Sequence, residues 1–191
     1  RLLLTPIVAS YGTAVVAAYG VANQVFAFGI MLLVGIGLGL SSLIGHNLGS
    51  GKVERAKKTA DQSIWLGIAI MSLMAIVSWL FARTYMGLFF DNEETVRLGV
   101  EILRIWAFGY IFYAVYIMIE DIHVGVGLNT PMMIITTIHS WGFQVLPAIV
   151  VTQIFGLDYK AVWWVLACSG MITSVVCLWY YRRGRWLTVK L

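Results

Sequence analysis

The chain has 191 residues, of which 60% are hydrophobic and 12% charged, with a net charge of +4 and a mean hydropathy of +0.86. A soluble domain carries about twice that charge fraction, so the composition excludes a single water-soluble core and requires lipid as solvent. The basic excess is not a nucleic-acid signature, because Lys and Arg gather at the ends of apolar runs.

Residues 1–11 are too short and wrongly flanked for a signal peptide. At about 1.5 Å per residue they cross roughly half a bilayer, and they read as the remnant of a truncated helix with material expected upstream. Five complete apolar spans follow, at about 15–44, 63–82, 102–119, 131–155 and 161–181. Each is long enough to cross a bilayer as a helix, and none shows the alternation of a barrel strand. The predicted fold is all-α, a polytopic membrane helix bundle of five complete helices and one truncated helix. It forms one membrane domain over 1–191 with no soluble appendage.

The connections set the orientation. The loop at 45–58, GHNLGSGKVERAKK, carries Lys52, Arg55, Lys57 and Lys58, and the C-terminal stretch carries Arg182, Arg183, Arg185 and Lys190. With alternating sides, these and the 125–130 turn share one face, leaving Arg83, Arg97, Arg104 and Lys160 opposite. The positive-inside rule makes the first face cytoplasmic and puts the C-terminus there. Cys168 and Cys177 stand nine residues apart, on opposite sides of a helix, and read as packing residues.

Residues 18–60, AYGVANQVFAFGIMLLVGIGLGLSSLIGHNLGSGKVERAKKTA, are more specific than hydropathy. A small-residue-rich helix that ends in a Gly-rich pattern before a basic loop resembles the MATE (multidrug and toxic compound extrusion) family. The Gly45–Gly51 stretch followed by Arg55 and Ala56 carries that match. Gly125–Pro131 is similar to the Gly-rich turn between the fourth and fifth helices of a lobe in that family. The resemblance covers essentially the whole chain and fits one six-helix lobe of a two-lobe, twelve-helix transporter, most simply the C-terminal one. It implies a missing N-terminal lobe as partner. Two departures stand out: His123-Val124 replaces an arginine found in many members, and a coupling acid of some branches falls near Tyr113, which is not acidic.

Several constellations are candidate sites. Gly35 and Gly39, and Gly45 and Gly49, are four apart, which lets helices approach closely, either as a sliding or bending element or as static packing. Trp106, Tyr110, Tyr113, Tyr116 and Glu120 share one helix face by their three- and four-residue spacing. This face either lines a cavity for lipophilic organic cations or packs between helices. Asn23 and Gln24 interrupt the first complete span, as interhelical hydrogen-bonders or cavity residues. Glu120, Asp121 and His123 form the one acid-and-histidine cluster: a proton relay or gate, or a solvated helix end. Glu93, Arg97, Glu101 and Arg104 read as an ion-pair ladder along a helix surface. Pro147 is expected to kink the fourth complete span near His139 and Gln144, as a hinge or a fixed bend. The histidines are too scattered for a metal site.

The resemblance implies secondary active efflux of cationic or amphipathic drugs in antiport with H⁺ or Na⁺, in the cell membrane, with no cofactor beyond the coupling ion. The alternatives are a lipid-linked oligosaccharide flippase of the same superfamily, which would carry more cations along its cavity, and a non-transporting structural subunit. A membrane-embedded enzyme is the least favoured, since no nucleophile or ligand set is clustered in the spans.

Overall fold

The computed structural model describes residues 4–189, and all regular structure among them is helical. A short helix α1 (Thr5–Ala9) leads through Gly12 into α2 (Thr13–Gly49). Then come α3 (Val53–Leu80), a short α4 (Ala82–Gly87), α5 (Glu93–Gly125), α6 (Asn129–Ile154) and α7 (Tyr159–Arg182). A 3₁₀ turn, Arg185–Thr188, follows α7. Five of these helices are long and apolar enough to cross a membrane. Of the expected helix remnant, residues 1–3 lie outside the described residues.

Each long helix extends past the apolar run that announces it. At about 1.5 Å per residue, α2 with its 37 residues is about 55 Å long, well beyond a hydrocarbon core of about 30 Å. Its last turns carry His46 and Asn47 out of the apolar zone. The ends are set by local chemistry. Asn92 caps α5 by accepting from the Glu94 and Thr95 amides at 2.9 and 3.2 Å, and Glu93 and Glu94 lie in the first turn, where the helix dipole favours acids. Asp158 stands at the start of α7 and accepts from the Tyr159 amide at 2.7 Å. Gly51 and Gly127 take positive φ in the turns after α2 and α5, a conformation only glycine adopts without strain.

Helix α5 is the axis of the bundle. In its membrane window 72% of residues are buried, against 22% for α6 and 28% for α2. Helices α2, α3 and α7 surround it, and α6 lies against α7 and the end of α5. Large apolar side chains face outward, among them Met31, Leu38, Trp65 and Ile154, all at least 71% exposed. Such a surface is stable only in lipid, so the chain is a multi-pass membrane protein.

The expected ladder on α5 does not form along the helix. Glu93 pairs with Arg83 at 2.8 Å, Glu101 pairs with Lys160 at 2.7 Å, and Arg104 lies over the Trp79 ring at 5.0 Å. Partners on neighbouring elements replace those one turn away.

Candidate functional site

The aromatic stripe of α5 meets α2 through Phe26. That ring sits 6.0 Å from Trp106, 5.2 Å from Tyr110 and 4.9 Å from Tyr113, edge-on to the last at 80°. Tyr19, two turns earlier on α2, stacks on Trp163 of α7 at 5.5 Å. Trp106 and Tyr110 are thereby core residues, 5% and 1% exposed. Tyr113 and Tyr116 lie further along, where α2 supplies Asn23, Phe26 and Ile30, and the two helices border a concavity of about 330 Å³. Three of the expected cavity residues, Asn23, Tyr113 and Tyr116, therefore meet.

Tyr110 and Gln24 do not join them. Tyr110 is sealed in the aromatic core. Gln24 turns about 100° from Asn23, as adjacent helix residues must. It opens on a different groove, of about 380 Å³, beside Phe28, Met74 and Tyr85.

Glu120 is tied to the same wall. The Thr136 hydroxyl of α6 donates to Glu120 Oε1 at 3.3 Å and lies 3.1 Å from the Tyr116 hydroxyl. Asp121 points elsewhere, towards α2. Its backbone carbonyl accepts from Ser41 Oγ at 2.7 Å, and its carboxylate fills the space that a side chain at Gly37 would need. His123 is fully buried against a third helix: its Nδ1 bonds the Ile119 carbonyl at 2.7 Å, and its ring lies 5.2 Å from Tyr180 of α7. The three neighbours thus leave α5 in three directions and do not converge as one relay. His123 is buried, while Glu120 and Asp121 are half-buried.

A second polar group lies deeper, among α5, α6 and α7. Gln144 Nε2 donates to the Tyr113 hydroxyl at 2.7 Å and to His139 Nε2 at 3.0 Å, and lies 3.3 Å from Ser169 Oγ. His139 Nδ1 is 2.7 Å from Thr173 Oγ1, whose own proton goes to the Ser169 carbonyl at 2.9 Å. The threonine must therefore accept, which places the imidazole proton on Nδ1 and leaves Nε2 to accept from Gln144. All five side chains are buried. In the membrane such groups must be satisfied internally, and here they are.

The backbone of α6 makes this possible. His139–Val145 and Val150–Ile154 are π-helical, on either side of Leu146–Ile149 with Pro147. In an α-helix, residues five apart point about 140° from each other. The wider π turn brings His139 and Gln144 onto one side. Pro147 stands in the short α-helical turn between the two widened stretches.

The small-residue contact is real but in a different register. A Cβ at Gly35, Gly39 or Gly49 would have no neighbour within 4 Å, so among the described residues these glycines pack against nothing. The close stripe is Gly37, Ser41 and Gly45. A Cβ on Gly45 would stand 2.9 Å from the Gly125 carbonyl oxygen, and one on Gly125 would stand 2.6 Å from that of Ser41. Serine at the middle position conceals this stripe from a search for glycine pairs. Thr136, Ser169 and Thr173 were likewise not singled out, because small hydroxyls in apolar spans carry no spacing signal.

The MatE family model matches residues 1–150. Two relatives in Bacillus subtilis (strain 168) are described as probable multidrug resistance proteins. YoeA is 25% identical over 172 residues, covering 90% of this chain and 37% of the relative, and YpnP is 25% identical over 192 residues, covering 100% and 42%. The fold matches a Vibrio cholerae MATE transporter, VcmN in the bent form, with a TM-score of 0.87 at 16% identity, over 99% of this chain and 42% of that one. The chain thus spans about two fifths of the length of the proteins it matches.

Proposed function

We propose, on the premise that this chain belongs to the MatE family, that it is the C-terminal lobe of a secondary multidrug exporter working in the cell membrane with its C-terminus in the cytoplasm. Its partner is an N-terminal lobe of the same protein, and cationic or amphipathic drugs leave in exchange for H⁺ or Na⁺. The concavity bordered by Asn23, Phe26, Tyr113 and Tyr116 carries this reading, with Glu120 held at its end through Thr136. Aromatic faces attract an organic cation through their quadrupoles, and a carboxylate supplies the countercharge. Among the described residues no Lys or Arg lines that concavity, which favours a cationic cargo over the anionic headgroup that a flippase would grip. One such wall faces a second wall when two lobes meet, so a drug-sized site is completed by the pair.

The test is efflux of ethidium from vesicles carrying the full-length protein, under an imposed proton or sodium gradient. Tyr113→Ala is expected to raise the KM for ethidium by roughly twofold to thirtyfold, the range of a cation–π contact. Gradient-dependent efflux that is indifferent to both Tyr113→Ala and Glu120→Gln would remove this wall as the drug site.

A further inference from the structure

Helices α3 and α7 run antiparallel, so the start of α3 and the end of α7 meet at one membrane surface. Between them lies a groove of about 760 Å³, floored by Val115 of α5 and closed by the 3₁₀ turn. Lys57, Asp61, Ile64 and Ile68 follow one another at spacings of four, three and four, which puts them on one face of α3. Leu178 and Arg182, one turn apart, do the same on α7. Both cations therefore lie at the surface end, and the apolar residues lie deeper. From Lys57 to Ile68 the groove descends about 16 Å, close to the depth of one leaflet's hydrocarbon.

The one acid on the wall is engaged by the protein. Tyr181 donates to Asp61 Oδ1 at 2.7 Å, and its ring stacks on Trp186 at 5.3 Å. Trp186 is 1% exposed and anchors the 3₁₀ turn as an end wall. Around the rim the field is positive: residues 52–61 and 182–185 hold seven Lys or Arg and two acids, Glu54 and Asp61. Basic pockets between membrane helices, opening on a leaflet surface, suit acidic headgroups.

We infer that this groove holds an anionic phospholipid of the adjoining leaflet, with its phosphate between Lys57 and Arg182 and an acyl chain along Ile64, Ile68 and Leu178. A zwitterionic lipid gains less from the rim, because its own ammonium is repelled there. The occupant is a structural lipid, apart from any transported drug.

The full-length protein is reconstituted into phosphatidylcholine vesicles, and lipid with brominated chains, either phosphatidylglycerol or phosphatidylcholine, is titrated in. Trp65 and Trp186 border the groove, so a brominated chain seated there quenches them. Phosphatidylglycerol should quench at lower mole fraction, and Trp65→Phe should remove part of that selective signal. Lys57→Gln with Arg182→Gln should cut the preference by about thirtyfold, about fivefold per cation. Lys57→Arg with Arg182→Lys should keep it. Equal quenching by the two lipids in the unmodified protein overturns the inference, as does a preference that survives the double glutamine substitution. Quenching reads lipid contact alone, so this result stands or falls separately from drug efflux.

Discussion

Replacing Gly125 by alanine tests the closest approach of a glycine to the backbone of a neighbouring helix. The new methyl would stand 2.6 Å from the Ser41 carbonyl oxygen and 2.7 Å from its Cα, and both are backbone atoms that no rotamer change can move. Ordinary contact needs 3.4 Å or more, so α2 and α5 must part by close to an ångström at this crossing. Overpacking of that kind costs about 1–3 kcal/mol. Parting the helices also stretches the Ser41–Asp121 hydrogen bond, now 2.7 Å; a bond of this kind in a membrane protein is worth about 0.6 kcal/mol. A loss of about 2–3 kcal/mol corresponds to a fall in Tm of roughly 5–10 °C for a domain of this size. The assay is thermal unfolding of the purified protein in mild detergent. Gly35→Ala and Gly39→Ala serve as the comparison, since a Cβ at either would meet nothing within 4 Å among the described residues. They should leave Tm unchanged or raise it slightly, as alanine is the better helix former by up to about 1 kcal/mol. If Gly125→Ala is as harmless as these two, or if they are as damaging as it, the assignment of the close stripe to Gly37, Ser41 and Gly45 is refuted.

Gln144→Leu should cost about 1–3 kcal/mol, because the Tyr113 hydroxyl, His139 and Ser169 lose a shared donor in a buried site; thermal unfolding measures it, and an unchanged Tm would sink the network. Gly170→Ala should damage both stability and efflux, since its Cβ would stand 2.6 Å from the Tyr113 ring, whereas Gly142→Ala meets only Ile138 at 3.5 Å and should be mild. Tyr181→Phe keeps the stack on Trp186 and removes only the bond to Asp61, so the loss should stay below about 1 kcal/mol in the same melt. Glu120→Gln should weaken efflux of a cationic dye more than that of a neutral amphipathic one, measured side by side in vesicles.

The five spans were legible because lipid imposes a single rule, a long apolar run, and hydropathy reads it directly. Their ends were not, because a helix continues through the interface as long as its backbone bonds are satisfied. Helix α4 escapes notice for a different reason: its six residues, ARTYMG, include Arg83, Thr84 and Gly87 and are too few to show a helical period, so they read as part of the connection. The stripe on α5 was correctly placed on one face, since a three- and four-residue spacing fixes a face. Spacing says nothing about what that face meets, so it did not separate Tyr113 and Tyr116 at the concavity from Tyr110 in the core. The glycines show the same limit. Registers 35/39 and 37/41/45 satisfy the same rule, and only the position of α5 decides between them. For Glu120, Asp121 and His123, adjacency in sequence suggested a cluster, yet residues next to each other on a helix diverge by about 100°.

Tyr113 belongs both to the aromatic wall and to the buried polar network, and that links the two. Its ring forms part of the wall with Phe26, and its hydroxyl is held by Gln144 from the π-helical part of α6. The ring's other face rests against Gly170 of α7, where any larger residue would displace it. The position of the wall is therefore set by the geometry of α6 and α7. A π turn is wider than an α turn, and closing it by one residue would rotate Gln144 away from His139 by about 90°, the difference between the two helical registers. Such a change would break the hydrogen bond from Gln144 to the Tyr113 hydroxyl. The polar network among α5, α6 and α7 thus does more than satisfy buried groups: through the Gln144–Tyr113 hydrogen bond it ties α6 to the aromatic wall.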